Sequence, residues 1–136
     1  MIKLKSIVVD VYGFEIFYLF SSWKHCVRRL KEEFSLNLDP KFGGDGYAEP
    51  LINDDGRHAY FIWVKSVDYD DVIVHEAFHA TAYIMDDFAG VKLTRNSDEA
   101  YAYLLGYITR ELFKARRKSE RKGENGMLYK TYKRTS

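Results

Sequence analysis

The sequence predicts a single α+β domain. Two regions alternate their side chains as hairpin strands do, and three other segments repeat apolar residues every three or four positions, as helices do. Helices and hairpins in this order predict a small, mostly antiparallel or mixed sheet with helices packed on it. The chain has 136 residues, of which 46% are apolar and 30% are charged, which is typical of one globular domain.

The first hairpin is predicted close to the N-terminus. Apolar residues alternate through 7–11, Gly13 offers a turn, and the alternation continues through 14–20. Ser21 and Ser22 are both suitable N-caps for the helix that follows. The apolar positions of that helix share one face: Trp23, Cys26, Val27, Leu30 and Phe34.

A second hairpin is predicted in the middle of the chain. The glycine-rich segment 40–46 lacks the Lys-Ser/Thr ending of a phosphate-binding loop, so we interpret it as a connection. Strands are then expected at 47–53 and 58–65, around a turn at 54–57. The strand 58–65 is mostly apolar on both faces, so we expect at least one of them to be covered.

Two helices are predicted in the second half. Acidic residues at 68–71 favour a helix N-terminus, and the helix should run from Asp70 to Phe88 and stop at Gly90. The last helix should run from about Asp98 to Arg117. Its predicted buried stripe consists of Ala100, Tyr103, Leu104, Tyr107, Ile108 and Leu112.

Composition argues against several classes of protein. Cys26 is the only cysteine, which excludes a disulfide framework and fits a reducing compartment such as the cytoplasm. Since no run of eighteen uncharged apolar residues occurs, we expect no membrane span. An apolar stretch near the N-terminus is interrupted by Asp10 and Glu15, so we expect no signal peptide.

Charge divides the chain into two parts, although the net charge is only +1. Residues 114–136 hold nine basic and two acidic residues, a charge of +7, and residues 1–113 therefore carry −6. We expect a domain over 1–113, followed by a basic helix end and a mobile tail over 114–136. Such a tail can bind nucleic acid or fold back on the acidic body, but a solvated terminus is the simpler interpretation.

The most informative motif is His75-Glu76-x-x-His79. Residues four apart lie on the same face of a helix, and two imidazoles at that spacing can bind one Zn²⁺ ion. Glu76, next to the first histidine, can lie near a metal-bound water without binding the metal itself. Apart from the motif residues, the stretch 72–82 is uncharged, so we expect this helix to be buried.

A zinc site for hydrolysis needs a third protein ligand and an open position. Glu99 lies twenty residues after His79, at the start of the next predicted helix, and a turn at Gly90 would bring it back beside the histidines. Asp86, Asp87 and Asp98 are the competing carboxylates. Asp86 lies about 10 Å from His79 along the same helix, which is too far unless the helix ends early.

The pattern His75-Glu76-x-x-His79, with Glu99 after nineteen further residues, resembles that of the gluzincin metallopeptidases, the thermolysin-like zincins. The resemblance covers about residues 68–112. It implies a minimal zincin-like fold with a backing helix, a zinc ion bound by the two histidines and Glu99, and Glu76 as the general base. It also implies that an edge strand, expected at about 59–65, pairs with a peptide or protein substrate.

The segments 75–81 and 99–108 also resemble small zincin-type proteins of bacteriophages and prophages, which would work in a host cytoplasm. The chain departs from larger gluzincins in having Tyr103 where an Asp often follows the glutamate ligand, and in lacking room for a second subdomain. The cleft must therefore be shallow or completed by a protein partner. Candidates for stabilising the oxyanion are Tyr101, Tyr103, Tyr107 and His58.

The sequence thus predicts a zinc-dependent peptidase. The alternative is a zincin-fold module that binds a partner, such as a host factor, and does not cleave it. A second metal-binding pair at His25 and Cys26 is disfavoured, because adjacent residues on a helix point in different directions.

Overall fold

The structure is a computed structural model, and it describes residues 4–9, 14–52 and 58–121. The described residues form four strands and three helices, in the predicted order of a small α+β domain. The elements are β1 (Lys5–Val9), β2 (Phe14–Phe20), α1 (Trp23–Phe34), β3 (Gly46–Ile52), β4 (His58–Val64), α2 (Asp70–Ala89) and α3 (Asp98–Arg121).

The strands form one mixed sheet in the order β1-β2-β4-β3. Both predicted hairpins are present, because β1 pairs antiparallel with β2 and β3 pairs antiparallel with β4. Their predicted turns, at Gly13 and at 54–57, lie outside the described residues. The pairing of β2 with β4 is parallel, and it joins the two hairpins into a single sheet.

This parallel pairing corrects one expectation. The segment 59–65 was expected to be an edge strand, but β4 lies in the interior of the sheet and β3 forms the edge. The reason lies in the connection after β2, because α1 crosses one face of the sheet and the chain then enters β3 on the outside before returning as β4. The edge strand nearest α2 is therefore Gly46–Ile52.

Both faces of the sheet are covered by helices. Helix α1 covers one face, with a core that includes Leu19, Cys26, Leu30, Phe61 and Trp63. Helices α2 and α3 cover the other, with a core that includes Ile16, Tyr60, Ile62, Ile73, Ala77, Leu104 and Ile108. Alternate residues of β4 thus enter two separate cores, which explains why this strand is apolar on both sides.

The helix ends follow from local sequence signals. Ser22 is the N-cap of α1, and its side chain accepts a hydrogen bond from the backbone N–H of His25 at 3.2 Å. Gly90 ends α2 in the left-handed conformation, with φ of 60°, and its N–H donates to the carbonyl of Asp86. None of the helices in the described ranges is long and apolar enough to span a membrane.

Helix α3 confirms part of its predicted stripe and corrects one residue. Leu104, Ile108 and Leu112 are buried, and Tyr101 and Ala115 extend the stripe. Tyr103 was expected to be buried, but 77% of it is exposed. Successive helix positions are rotated by about 100°, so a residue between Tyr101 and Leu104 points away from the core that these two enter.

The first part of the predicted basic tail is helical. Helix α3 continues to Arg121, four residues beyond the predicted end, and residues 122–136 lie outside the described part. Arg116 turns back toward the body of the domain, where its guanidinium pairs with Asp70 and donates to the carbonyl of Val67. This contact links the end of α3 to the start of α2.

Candidate metal and catalytic site on α2

The site lies on α2, where the motif residues divide between the buried and the open sides of the helix. Ile73, Ala77, Ala80 and Ile84 are fully buried against the sheet and α3. Val74 and Phe78 are 40% and 41% exposed, so the helix is buried on one side only. This corrects the expectation that the helix is buried. This arrangement leaves the two histidines accessible from outside the domain.

The imidazoles of His75 and His79 lie edge to face, with their Nε2 atoms within hydrogen-bonding distance of each other. Their Nε2 atoms are 3.1 Å apart, and the His75 side chain is 66% exposed. Two nitrogen ligands of a tetrahedral zinc ion are about 3.4 Å apart when each bond is about 2.0–2.1 Å long. The two side chains therefore already have nearly the separation that a shared zinc ion requires. They fit this ion by donor type as well, because imidazole nitrogen is a common zinc ligand.

Glu76 is the buried member of the motif. It is only 6% exposed, and its Oε2 lies 4.0 Å from the Nε2 of His75. Burial raises the pKa of the Glu76 carboxyl, and the nearby His75 partly opposes this shift. A carboxylate with a raised pKa is a better proton acceptor, which is what a general base beside a metal-bound water requires.

A glycine of the edge strand allows Glu76 to occupy this position. A Cβ atom at Gly46 would lie 2.6 Å from Oε2 of Glu76 and 2.5 Å from Cγ1 of Val72. Any side chain there would force α2 or the carboxylate to shift. The sequence predicts only a connecting segment at Gly46, because the contact joins residues thirty positions apart and leaves no local signal.

Tyr83 is a further neighbour of the histidines that the motif alone does not predict. Its ring stacks on His79, with the centroids 6.4 Å apart and the planes inclined by 23°. Tyr83 lies four residues after His79, and His79 lies four residues after His75, so all three share one face of α2. The stacking restricts the orientation of the His79 imidazole.

The structure does not bring Glu99 to the histidines. Glu99 lies exposed in the first turn of α3. Within the described ranges, no three His, Cys, Asp or Glu side chains are grouped as metal ligands. Of the competing carboxylates, Asp87 accepts a hydrogen bond from the Tyr60 hydroxyl at 3.1 Å, and Asp86 lies 3.8 Å from the Lys92 ammonium. Zinc binding by Glu99 therefore stays a prediction.

The tyrosines considered for the oxyanion point elsewhere. The Tyr101 hydroxyl donates to the carbonyl of Val91 at 2.6 Å, and Tyr103 is largely exposed. The Tyr107 hydroxyl donates at 2.9 Å to the carbonyl of Val8 on β1. Since β1 and β3 are opposite edges of a four-stranded sheet, that carbonyl is about 14 Å from the β3 edge. His58 begins β4, and its side chain lies outside the described part.

The edge strand next to Glu76 offers backbone groups for pairing. The N–H of Lys65 donates to the carbonyl of Asp45 at 2.9 Å, which fixes the hydrogen-bonding register of β3 with β4. In that register residues 47, 49 and 51 bond to β4, whereas Gly46 and Ala48 direct their N–H and C=O groups outward. Pro50 also faces outward, at the place where a proline is tolerated in a sheet.

Comparisons with family models, with curated proteins and with solved structures found no match to this chain. The site consists of a close histidine pair, a buried carboxylate beside it, and an open strand edge.

Proposed function

We propose that the protein is a zinc-dependent peptidase whose active site is built on α2. The observation that carries the proposal is the 3.1 Å separation of the His75 and His79 Nε2 atoms, with the buried Glu76 carboxylate beside them. His75 and His79 would hold the ion with their Nε2 atoms as ligands. When bound, zinc would lower the pKa of a water molecule towards about 7 and polarise the scissile carbonyl.

The protein's own residues would then handle the proton. The Glu76 carboxylate would accept a proton from the attacking water and pass it to the leaving amine. Its burial beside Gly46 keeps bulk water away and holds the carboxylate close to His75. Glu99 is proposed as the third ligand, because it lies in the first turn of the helix that packs on α2. Reaching the histidines requires a movement of that turn.

The substrate is proposed to be a peptide or an extended segment of a protein. The outward N–H and C=O groups of Gly46 and Ala48 can pair with such a segment, in the role that the sequence analysis gave to 59–65. Pairing there would place the substrate backbone next to Glu76, because Gly46 contacts that carboxylate. The reducing compartment proposed for this activity is the cytoplasm, or a host cytoplasm if the protein is phage-encoded.

A second candidate is a binding module that does not cleave its partner. Two observations favour it: among the described residues no third metal ligand joins the histidines, and the apolar side chains of Val74 and Phe78 are exposed beside them. A protein partner could cover this apolar surface and complete the cleft. The two candidates differ in whether Glu76 is needed for anything besides stability.

The deciding experiment measures zinc and hydrolysis together. Zinc content is determined by elemental mass spectrometry for the wild type, His79→Ala and Glu99→Ala, and a peptide library is then screened for cleavage. The peptidase proposal expects one zinc ion per chain, lost or weakened in both variants, and cleavage that Glu76→Gln abolishes while keeping zinc. No zinc in the wild type after loading, or cleavage by Glu76→Gln at the wild-type rate, would overturn it.

A further inference from the structure

A cavity lies on the other side of the edge strand from the histidines. It has a volume of about 340 Å³ and lies between the start of α1, the segment 36–42 and β3. The side chains that matter for its chemistry are three aromatic rings and two carboxylates: Trp23, Phe42, Tyr47, Asp39 and Glu49. A guanidinium or ammonium group is the ligand that aromatic faces combined with carboxylates favour.

The aromatic wall is a packed and supported structure. The Trp23 ring contacts Phe42 and Tyr47, with centroid distances of 4.8 Å and 5.7 Å, and rests on the buried Trp63 at 4.8 Å. The indole Nε1–H of Trp23 donates to the carbonyl of Asp39 at 2.8 Å, which fixes the ring against the 36–42 segment. Phe42 remains 38% exposed, although it belongs to this cluster.

The carboxylate of Glu49 supplies a second, independent observation. Its Oε2 atom is buried and has no hydrogen-bond partner among the described residues. The Tyr47 hydroxyl is hydrogen-bonded to the same carboxyl, and burial together with this bond raises the pKa of Tyr47. A buried carboxylate oxygen without a donor is costly, and a cation entering the cavity would satisfy it.

We propose that this cavity binds the cationic end of an arginine or lysine side chain of a peptide paired with β3. The cavity stands on its own geometry, whereas the pairing with β3 rests on the proposed function. Tyr47 and Glu49 lie on the strand that carries Gly46, but their side chains point to the α1 face. A paired peptide alternates its side chains between the two faces of the sheet. One of its residues would thus lie near Glu76 while a neighbouring residue reaches the cavity.

The occupant is chosen by charge and by shape. The cavity has two carboxylates, and aromatic rings attract cations at their faces. An apolar side chain would leave the Oε2 of Glu49 without a donor, and an acidic side chain would face two like charges. Arginine suits the site best, because its planar guanidinium can stack on a ring and donate to a carboxylate at the same time.

The test is a binding measurement that needs no cleavage. N-acetyl-arginine methylamide and its uncharged analogue, N-acetyl-citrulline methylamide, are titrated into Glu76→Gln protein without added zinc. Binding is followed by the Trp23 indole N–H signal in NMR. We expect the arginine compound to bind at least tenfold more tightly than citrulline and Glu49→Gln to remove this preference. Equal binding of the two compounds, or an unchanged preference in Glu49→Gln, would overturn the proposal.

Two glycines provide a matched pair of variants if Glu49→Gln does not fold. A Cβ at Gly44 would lie 2.4 Å from the Phe42 ring, so Gly44→Ala should displace the ring from the cavity. A Cβ at Gly43 meets nothing within 4 Å, so Gly43→Ala is the control. We expect Gly44→Ala to weaken arginine binding several-fold and Gly43→Ala to leave it unchanged. An equal effect of both variants would contradict the proposed role of the aromatic wall.

The outcomes separate this inference from the peptidase proposal. Arginine-selective binding without any peptide cleavage would retain the cavity as a cation site and remove the peptidase. Peptides with arginine or citrulline next to the scissile bond can also be compared as substrates. If both are cleaved at the same rate, the peptidase proposal is retained and the inference is overturned.

Discussion

Glu76 and Glu49 lie on opposite sides of the edge strand β3, and their surroundings differ. Glu76 comes from α2, is almost fully buried, and is fitted against the bare backbone of Gly46. Glu49 comes from β3 itself and lies among aromatic rings, with the Tyr47 hydroxyl as its neighbour. Burial raises the pKa of the first, as proton transfer requires, whereas the Oε2 of the second is buried without a hydrogen-bond partner among the described residues and is suited to receive a cation.

The difference shows how one strand can serve two kinds of chemistry. A β-strand presents successive side chains to opposite faces, so a residue without a side chain on one face and an acidic residue on the other do not interfere. Gly46 gives α2 its close approach, and Tyr47 and Glu49 build the cavity on the α1 side. Each side can therefore be altered separately, which is what the following predictions use.

The largest effect is expected from Gly46→Ala. The added Cβ would lie 2.5 Å from Val72 and 2.6 Å from the Glu76 carboxylate, and overpacking of this kind costs about 1–3 kcal/mol of stability. If Glu76 is the general base, its displacement should also lower peptide hydrolysis by roughly 10²–10⁴-fold. Urea unfolding and a cleavage assay measure the two effects.

Gly43→Ala is again the control, because a Cβ there meets no atom within 4 Å. A double-mutant cycle with Glu76→Ala tests the cause, since removing the carboxylate should relieve part of the clash. Equal stabilities of Gly46→Ala and Gly43→Ala would show that the close approach of β3 to Glu76 is not required.

The pH dependence of stability should distinguish Glu76 from Gln at that position. Burial raises the pKa of Glu76 above 4.5, so the folded protein retains this proton at pH values where the unfolded chain has lost it. The free energy of unfolding therefore falls as the pH rises from about 4.5 through the folded-state pKa of Glu76. Below about pH 4.5, the contribution of Glu76 to this free energy does not change with pH. In metal-free protein, the stability of Glu76→Gln relative to wild type should increase over the same range.

Urea unfolding with a chelator, from pH 4 to pH 7, provides the measurement. A stability difference between the two proteins that does not change with pH would show that Glu76 titrates alike in the folded and unfolded states.

A smaller effect is expected from Tyr47→Phe on the other side of β3. The substitution removes the hydroxyl that is hydrogen-bonded to Glu49, and a half-buried bond of this kind is worth about 1 kcal/mol. It should also weaken arginine binding in the cavity, without changing zinc binding at the histidines. Tyr103→Phe is the control, since that side chain is 77% exposed. A loss of zinc in Tyr47→Phe would contradict the separation of the two sides.

The parts of the fold that the sequence predicts are those with local causes. Ser22 caps α1 and Gly90 ends α2, because each acts on backbone groups within a few residues. The i, i+4 spacing of His75 and His79 likewise guarantees a shared face on any helix. These features need no knowledge of what the helices pack against.

The parts that the sequence does not predict are those that depend on distant segments. The parallel pairing of β2 with β4 decides that β3 is the edge, and the apolar residues on both faces of 59–65, which fit an interior strand, do not identify its neighbours. The close approach at Gly46 joins residues thirty positions apart, and the aromatic cavity joins Trp23 to residues 13 to 26 positions further along the chain, so the local pattern reveals neither. The prediction that Tyr103 is buried was wrong for a related reason. The predicted buried stripe of six residues covers a wider face of α3 than the one that the helix buries.

The smallest effect is expected from Tyr107→Phe, which tests the distance between the two edges of the sheet. The Tyr107 hydroxyl donates to the carbonyl of Val8 on β1, and loss of such an exposed bond should cost about 0.5 kcal/mol. Because β1 is the edge opposite β3, the variant should keep the zinc content and the hydrolysis rate of the wild type. A large fall in hydrolysis without loss of zinc would instead assign Tyr107 to the oxyanion. It would require α3 to move across the sheet when substrate binds, since a hydroxyl bound at β1 cannot reach a carbonyl held at β3.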